Sequence, residues 1–468
     1  MQEQRESGLY DVDVAVIGSG PGGYEAALRA ARSGMKVVLV EKAAPGGVCV
    51  NWGCIPTKAL LRSADLFDEL PKAGVYGVHV EHASFDLAQA VKRSRNVVLK
   101  LSKGIEFMLR KAGVEYRQGE ARLSGEHGIS VTRQDASASA FSARHIIIAT
   151  GGRSRELPGL KPDGRRIITS REALALKEAP RSMLVMGGGA IGVEMAWFYA
   201  KAGTKVTIVE MMPRILPLEE TEISEALSRS FEKAGIEILT GARLQEVVCG
   251  DEGVQGVITR EGEEPRPVKA DCLLVAVGVA GNAEGLGLEE AGVEISGGFI
   301  LTDAQCRTRV PHIYAIGDVR GGMLLAHKAS AEAAIAVASI AGKPLPGLDE
   351  TKIPRCVYAE PAVASVGLTE AQAAAAGYRV ITGRSMFAAS GKANAYGHLE
   401  GLVKLVFDAG NHRLLGAHIL GHGAVELVGE IALARHLEAT AEDMAHAVHA
   451  HPTLSETIRE AAEHALGQ

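Results

Sequence analysis

The chain has 468 residues, of which 47% are hydrophobic and 23% charged, and its formal net charge is −6. The length fits about three domains of ~150 residues, or one doubly wound unit with extra layers, and the composition is that of a globular protein with a large core. The charge gives no basic excess for nucleic acid or an anionic membrane, no apolar run nears the roughly 18 residues of a membrane helix, and a start carrying Glu3 and Glu6 is no secretory signal.

Val12 to Ile17 is a near-continuous apolar run, the pattern of a parallel strand covered on both faces. Gly18-Ser19-Gly20-Pro21-Gly22-Gly23 follows, then a helical pattern from Gly23 to Arg32 and a strand from Lys36 to Val40 that ends at Glu41. Here Gly18 permits the tight turn, Gly20 lets the backbone approach a pyrophosphate, and Gly23 lets the helix pack on the strand. Glu41 suits a hydrogen bond to a ribose hydroxyl.

Next comes Cys49, four residues and then Cys54, directly before a predicted helix whose first turn holds Pro56. A thiolate near a helix start is stabilised by the dipole, and a short ring opens and recloses easily, which suits redox exchange. Two buried free thiols or half of a zinc site are the alternatives, although no second Cys or His pair at regular spacing completes a zinc set, so no metal is expected. Cys249, Cys272, Cys306 and Cys356 are isolated and read as small apolar residues.

Arg153 to Lys161 and Glu178 to Ser182 bracket a second unit with proline and charge. Met183 to Met186, Gly187-Gly188-Gly189-Ala190-Ile191-Gly192, a helical stretch Ala190 to Ala202 and a strand Lys205 to Val209 repeat the first order. Gly187, Gly189 and Gly192 take the roles of Gly18, Gly20 and Gly23, and 23 positions separate first glycine from acid in both units, Gly18 to Glu41 and Gly187 to Glu210. Gly34 and Gly203 close the two helices at equal offset, as left-handed C-caps do. An acid at Glu210 favours a free 2′-hydroxyl, hence NAD over NADP; Arg214 is off the position of a phosphate clamp. Leu273 to Val279 is strand-sized. A Pro/Gly-rich stretch around Gly342 to Thr351 leads to a C-terminal region of strands (Leu402 to Phe407, Leu414 to Ile419) and helices (Ala424 to His436, Leu454 to Ala465), an α+β pattern. The chain is thus read as α/β, with two Rossmann-like dinucleotide-binding domains and a C-terminal α+β domain.

The run GGVCVNWGCIPTKALL resembles the redox-active disulfide segment of the flavoprotein disulfide reductases, and further matches follow in order. Ala149-Thr150-Gly151-Gly152 is similar to the turn closing the family's first nucleotide domain. TRVPHIYAIGD, ending at Asp318, resembles its second flavin motif, and Leu325-Ala326-His327-Lys328 the helix start after it. His449-Ala450-His451-Pro452-Thr453-Leu454-Ser455-Glu456 is similar to its catalytic-base motif. Departures are Val48 where Thr is commoner, Gly278-Val279-Ala280-Gly281-Asn282 without the usual Arg and Pro, and Ala362 for an acid after Pro361.

The resemblance implies FAD bound at Gly18, Gly20, Gly23, Glu41, Lys58, Thr150, Gly151, Asp318 and Ala326, and NAD at Gly187, Gly189, Gly192, Glu210 and Gly278. It implies a Cys49–Cys54 disulfide, with Cys49 as interchange thiol and Cys54 facing the flavin. His451 would be the base, favoured over His449 because it directly precedes Pro452, and Glu456 would orient it; Lys58 and Glu194 would pair beside flavin and nicotinamide. The implied regions are FAD-binding (1–150), NAD-binding (151–280), central (281–346) and dimerisation (347–468). The implied activity is oxidation of protein-bound dihydrolipoamide to lipoamide with NAD as acceptor, by a cytoplasmic homodimer. A lipoyl-bearing acyltransferase or carrier of a 2-oxoacid dehydrogenase or glycine cleavage complex would be the partner, on another chain because no lipoyl segment precedes Val12. A glutathione-type NAD(P)H-dependent disulfide reductase is the alternative, and a flavoprotein that only senses redox state is a weaker one.

Overall fold

The computed structural model describes residues Leu9–Gly467. Contacts divide the chain into two units, each assembled from three separate stretches. The first comprises residues up to Ala59, Lys92–Arg155 and Gly278–Leu348; the second comprises Leu60–Val91, Glu156–Val277 and the chain from Asp349 on. Residues 60–91 therefore pack with the later parts of the chain, and the central region packs with the first nucleotide unit.

In the first unit Val12–Ile17 lies between Val37–Glu41 and Ala138–Ile148, parallel to both. Glu115–Gln118 extends the sheet on one side and Ile313–Ala315 pairs with Ala138–Ile148 on the other. Val14, Ala15 and Val16 are fully buried, as the unbroken apolar run requires, and each valine contributes about 1.5–3 kcal/mol through burial. Helix Pro21–Arg32 packs against helix Ala326–Ile340. Ala26, Ala27 and Ala30 share a core with Ala333 and Ala336, and such small side chains let backbones approach closely.

The second unit repeats the arrangement. Ser182–Met186 lies between Lys205–Glu210 and Cys272–Val275, all parallel, with Glu237–Thr240 and Ile167–Ile168 outermost. Its C-terminal part is an antiparallel five-stranded sheet in the order Arg355–Val357, Ala362–Gly367, Leu414–Gly421, Gly401–Asp408, Val380–Met386. Helices Ala424–His436, Ala441–His446 and Glu456–Ala465 share one apolar core with it. No helix among the described residues is long and apolar enough to cross a membrane.

Several boundaries differ from the periodicity reading. The first nucleotide helix starts at Pro21, two residues early, because proline's fixed φ suits the first helical position after the extended Gly20. The run Leu273 to Val279 is not one strand: Cys272–Val275 ends, Gly278 turns at φ +119, and Val279–Gly281 pairs with Gly152–Ser154 in the first unit. The last helix begins at Glu456 rather than Leu454.

Candidate active site

The two glycine loops superimpose in chemistry as well as in spacing. Gly18 and Gly187 have φ of +101° and +109°, and a Cβ on them would stand 2.3 Å from the carbonyl oxygen of Ala149 and 2.4 Å from that of Ala276. A Cβ at Gly23 or Gly192 would stand 1.9 Å from the carbonyl oxygen of Gly18 or Gly187. Gly20 and Gly189 are extended, and a Cβ there would meet nothing within 4 Å. The turns thus leave open space beside helix starts that carry no side-chain cap, so first-turn N–H groups remain for a phosphate.

Both acids sit at the open ends of their strands and close onto their own loops. Glu41 accepts from Ser19 N at 2.9 Å and Ser19 Oγ at 2.7 Å, and its other oxygen accepts from Ala43 N at 2.8 Å. Glu210 accepts from Gly188 N at 2.6 Å and Met212 N at 2.7 Å. Each carboxylate keeps unused lone pairs, the acceptors a ribose hydroxyl needs.

Cys49 and Cys54 form a disulfide with Cα atoms 4.7 Å apart. Cys49 rides on a short helix, Gly47–Trp52, not visible in the sequence pattern, and Cys54 is the first residue of helix Cys54–Glu69. This segment is docked on the first glycine loop: Gly46 N donates to Ser19 O at 3.0 Å, and a Cβ on Gly47 would be 2.6 Å from Gly20 Cα. Asn51 Nδ2 donates to the carbonyls of Gly47 at 2.9 Å and Pro45 at 3.1 Å. Arg95 Nη1 donates to Asn51 O at 2.8 Å with its guanidinium over the Trp52 ring, and burial pushes its pKa down. Asn51 and Arg95 are supporting residues that motif reading missed.

The second flavin-like motif forms a turn, Gly317–Arg320, held by a buried ion cluster. Glu332, fully buried, accepts from Gly317 N at 2.7 Å and lies 2.8 Å from both Arg320 Nη1 and Lys328 Nζ. Leaving one of these charges unpaired would cost several kcal/mol. The Asp318 backbone carbonyl accepts from Gly321 N at 3.1 Å, its carboxylate makes no hydrogen bond within the described residues, and burial raises its pKa while Lys328 opposes the rise. A half-buried carboxylate without a partner fits a ligand that donates hydroxyls. Thr150 Oγ1 donates to Asn282 O at 2.7 Å and Asn282 Nδ2 returns a bond to Thr150 O at 2.9 Å, so Asn282 locks the turn at Thr150 and Gly151. Ala326 opens helix Ala326–Ile340. Lys58, half-buried, lies in the first turns of helix Cys54–Glu69 in the first unit. Glu194 is buried in the second unit and accepts from Tyr358 N at 2.9 Å.

His451 Nδ1 lies 3.0 Å from Glu456 Oε1, and Glu456 Oε2 accepts from Thr453 N at 2.9 Å. These two bonds, Thr453 first, hold the Glu456 carboxyl below its usual pKa. The His451 side chain is 78% exposed and its Nε2 has no partner among the described residues. His449, by contrast, has Nδ1 on Ala447 O and Nε2 on Glu430. Of the two, His451 combines an orienting carboxylate with a free nitrogen, the arrangement a base requires.

Of the remaining cysteines, Cys272 and Cys306 are buried, their thiols pushed up to about 12 by burial. Cys249 is not the core residue expected from isolation: it is exposed, with Sγ 3.4 Å from Asp163 Oδ2.

Comparison with known proteins covers nearly all of the chain. Residues 12–333 match the family model described as pyridine nucleotide-disulphide oxidoreductase, and residues 353–462 match that family's dimerisation domain. A dihydrolipoyl dehydrogenase from Chlorobaculum parvum is 65% identical over 99% of both chains. One from Zymomonas mobilis is 44% identical over 97% of this chain and 98% of its own. The solved structure of LpdA from Mycobacterium tuberculosis matches with a TM-score of 0.90 at 30% identity, covering 97% of this chain and 99% of that one. With paired nucleotide loops, a disulfide docked on the first of them and a matching C-terminal domain, the chain belongs to the pyridine nucleotide-disulphide oxidoreductase family and is a flavoprotein oxidoreductase with FAD and NAD as cofactors.

Proposed function

We propose that this chain oxidises protein-bound dihydrolipoamide to lipoamide with NAD as acceptor, working as a homodimer in a reducing cytoplasm beside a lipoyl-bearing acyltransferase or carrier. The carrying observation is the Cys49–Cys54 disulfide seated on the first dinucleotide loop through Gly46 and Gly47. The glutathione-type alternative ordinarily draws on NADPH, which the carboxylate of Glu210 disfavours. Purified, FAD-loaded protein mixed with NAD and dihydrolipoamide should form NADH, seen by its absorbance; absence of NADH with flavin bound would falsify the assignment.

In this proposal His451 takes the proton of one substrate thiol, with Glu456 fixing the imidazole through Nδ1. The substrate thiolate attacks Cys49 Sγ, the Cys49–Cys54 bond breaks, and Cys54 departs as a thiolate. The second substrate sulfur then displaces Cys49, closing the lipoamide ring and leaving the pair two electrons richer. Bound FAD supplies the two-electron relay from the dithiol to NAD. Gly18, Gly20, Gly23, Glu41, Thr150, Gly151, Asp318, Ala326 and Lys58 would hold FAD, and Gly187, Gly189, Gly192, Glu210 and Gly278 would hold NAD. Lys58 and Glu194 are the charged side chains assigned to the reacting ends of the cofactors.

The loops give a paired prediction. Gly23→Ala and Gly192→Ala each force a methyl against a carbonyl at 1.9 Å, costing at least the roughly 1–3 kcal/mol of overpacking. Gly23→Ala should purify with depleted flavin, whereas Gly192→Ala should keep flavin and lose NADH affinity in titration. Glu210→Ala removes a charge-assisted acceptor worth roughly 1.5–3 kcal/mol, so discrimination of NAD from NADP should fall about 10- to 100-fold. An unchanged kcat/KM ratio for the two nucleotides would place specificity elsewhere.

A further inference from the structure

Three residues far apart in sequence meet at one end of the C-terminal sheet. Ala362 pairs with Gly421, and Gly421 pairs with Gly401 on its other side. Glu360 stands two residues before Ala362, His422 one after Gly421, and His398 three before Gly401, so the register itself gathers them beyond a single rung. Their ligating atoms all lie within 4.8 Å of one another, and all three residues are half-buried. His422 Nδ1 is 3.4 Å from Glu360 Oε2. The two imidazoles stack with centroids 3.9 Å apart and planes at 9°. Beyond the contact with Glu360, their ring nitrogens have no hydrogen-bond partner among the described residues. Asp65 and Glu69 add negative charge around the pair, while Lys72 opposes it and is itself held by Asp68 at 2.9 Å.

We propose that Glu360, His398 and His422 form a structural site for a divalent first-row transition ion such as Zn²⁺. Two imidazoles and one carboxylate suit a borderline-soft cation. With bonds of about 2.0–2.2 Å, tetrahedral ligands sit roughly 3.4 Å apart, which side-chain rotation reaches from the present spacing. A cation between Glu360 and His422 replaces a hydrogen bond of 3.4 Å and adds a link among three segments already joined by strand pairing and a shared apolar core. A second cluster, Glu126, His127 and His312, is committed differently. His127 has Nδ1 on Ala143 O and Nε2 facing Tyr10 Oη, and His312 has Nε2 on Glu126 O. It serves as an internal control.

The test is calorimetric titration of Zn²⁺ into chelator-stripped, FAD-loaded, full-length protein in its oxidised state, where Cys49 and Cys54 offer no thiolate. One Zn²⁺ per chain is expected, with His312→Gln and Cys249→Ser binding as the unaltered protein does. His398→Gln and His422→Gln should each weaken binding by at least about tenfold, and Glu360→Gln should do so as well. Zinc should also raise the melting midpoint of the unaltered protein but not of His422→Gln; a melting midpoint without zinc equal to that of the unaltered protein shows that each variant is folded. No saturable binding at micromolar zinc, undiminished binding in both histidine variants, or loss in His312→Gln or Cys249→Ser instead would overturn the site.

Discussion

Serine at Cys49 or at Cys54 is expected to abolish dihydrolipoamide oxidation while leaving the flavin bound. Oxidation of the substrate dithiol needs a sulfur–sulfur bond to accept its two electrons, and one remaining thiol offers none. A serine hydroxyl cannot take the place of either partner, because it forms no stable bond of this kind and does not ionise near neutrality. The FAD and NAD sites use other residues, so Cys54→Ser should still oxidise NADH with artificial acceptors. Serine at Cys272 or Cys306 should keep near-normal turnover, since burial pushes both thiols up to about 12 and out of the chemistry. Steady-state NADH formation on the four variants checks the set. Full dithiol activity in either Cys49→Ser or Cys54→Ser would contradict the assignment.

His451→Gln is expected to lower kcat/KM for dihydrolipoamide by about 10²- to 10⁴-fold, the range for loss of a positioned general base. His449→Gln should have a small effect, because both ring nitrogens of His449 are already engaged, on Ala447 and Glu430. Glu456→Gln should fall between them: the amide can still meet His451 Nδ1 but loses the charge that stabilises an imidazolium. In the proposed homodimer the base serves the partner's disulfide. Mixing Cys49→Ser with His451→Gln should then restore part of the turnover through hybrid dimers, each with one intact pairing of base and disulfide. No recovery after subunit exchange is confirmed would speak against a shared site.

What was legible in the sequence is what neighbouring residues impose on one another. The glycine loops, the spacing of Glu41 and Glu210, the Cys49–Cys54 segment and the six residues from His451 to Glu456 are local constraints, set by near neighbours in the chain. The partners that hold them are set by tertiary register and carry no local signal. Glu332 reaches back to Gly317 N, Asn282 crosses to Thr150, and Arg95 caps the carbonyl of Asn51. A buried acid in an Ala-rich helix was the one available hint of Glu332. The histidine pair at the sheet end was invisible because residues 398 and 422 meet only through strand pairing. Apolar continuity also misled at Leu273 to Val279, where Gly278 divides two strands that a hydropathy pattern joins.

The central claim is that the Cys49–Cys54 pair receives the substrate's electrons. FAD-loaded protein should be mixed anaerobically with one equivalent of dihydrolipoamide and no NAD, then quenched with an alkylating reagent and mapped by mass spectrometry. The account predicts lipoamide as product, with Cys49 alkylated only after substrate is added and Cys249 alkylated equally with and without it. Lipoamide formed while Cys49 and Cys54 both stay unalkylated and disulfide-bonded would contradict it.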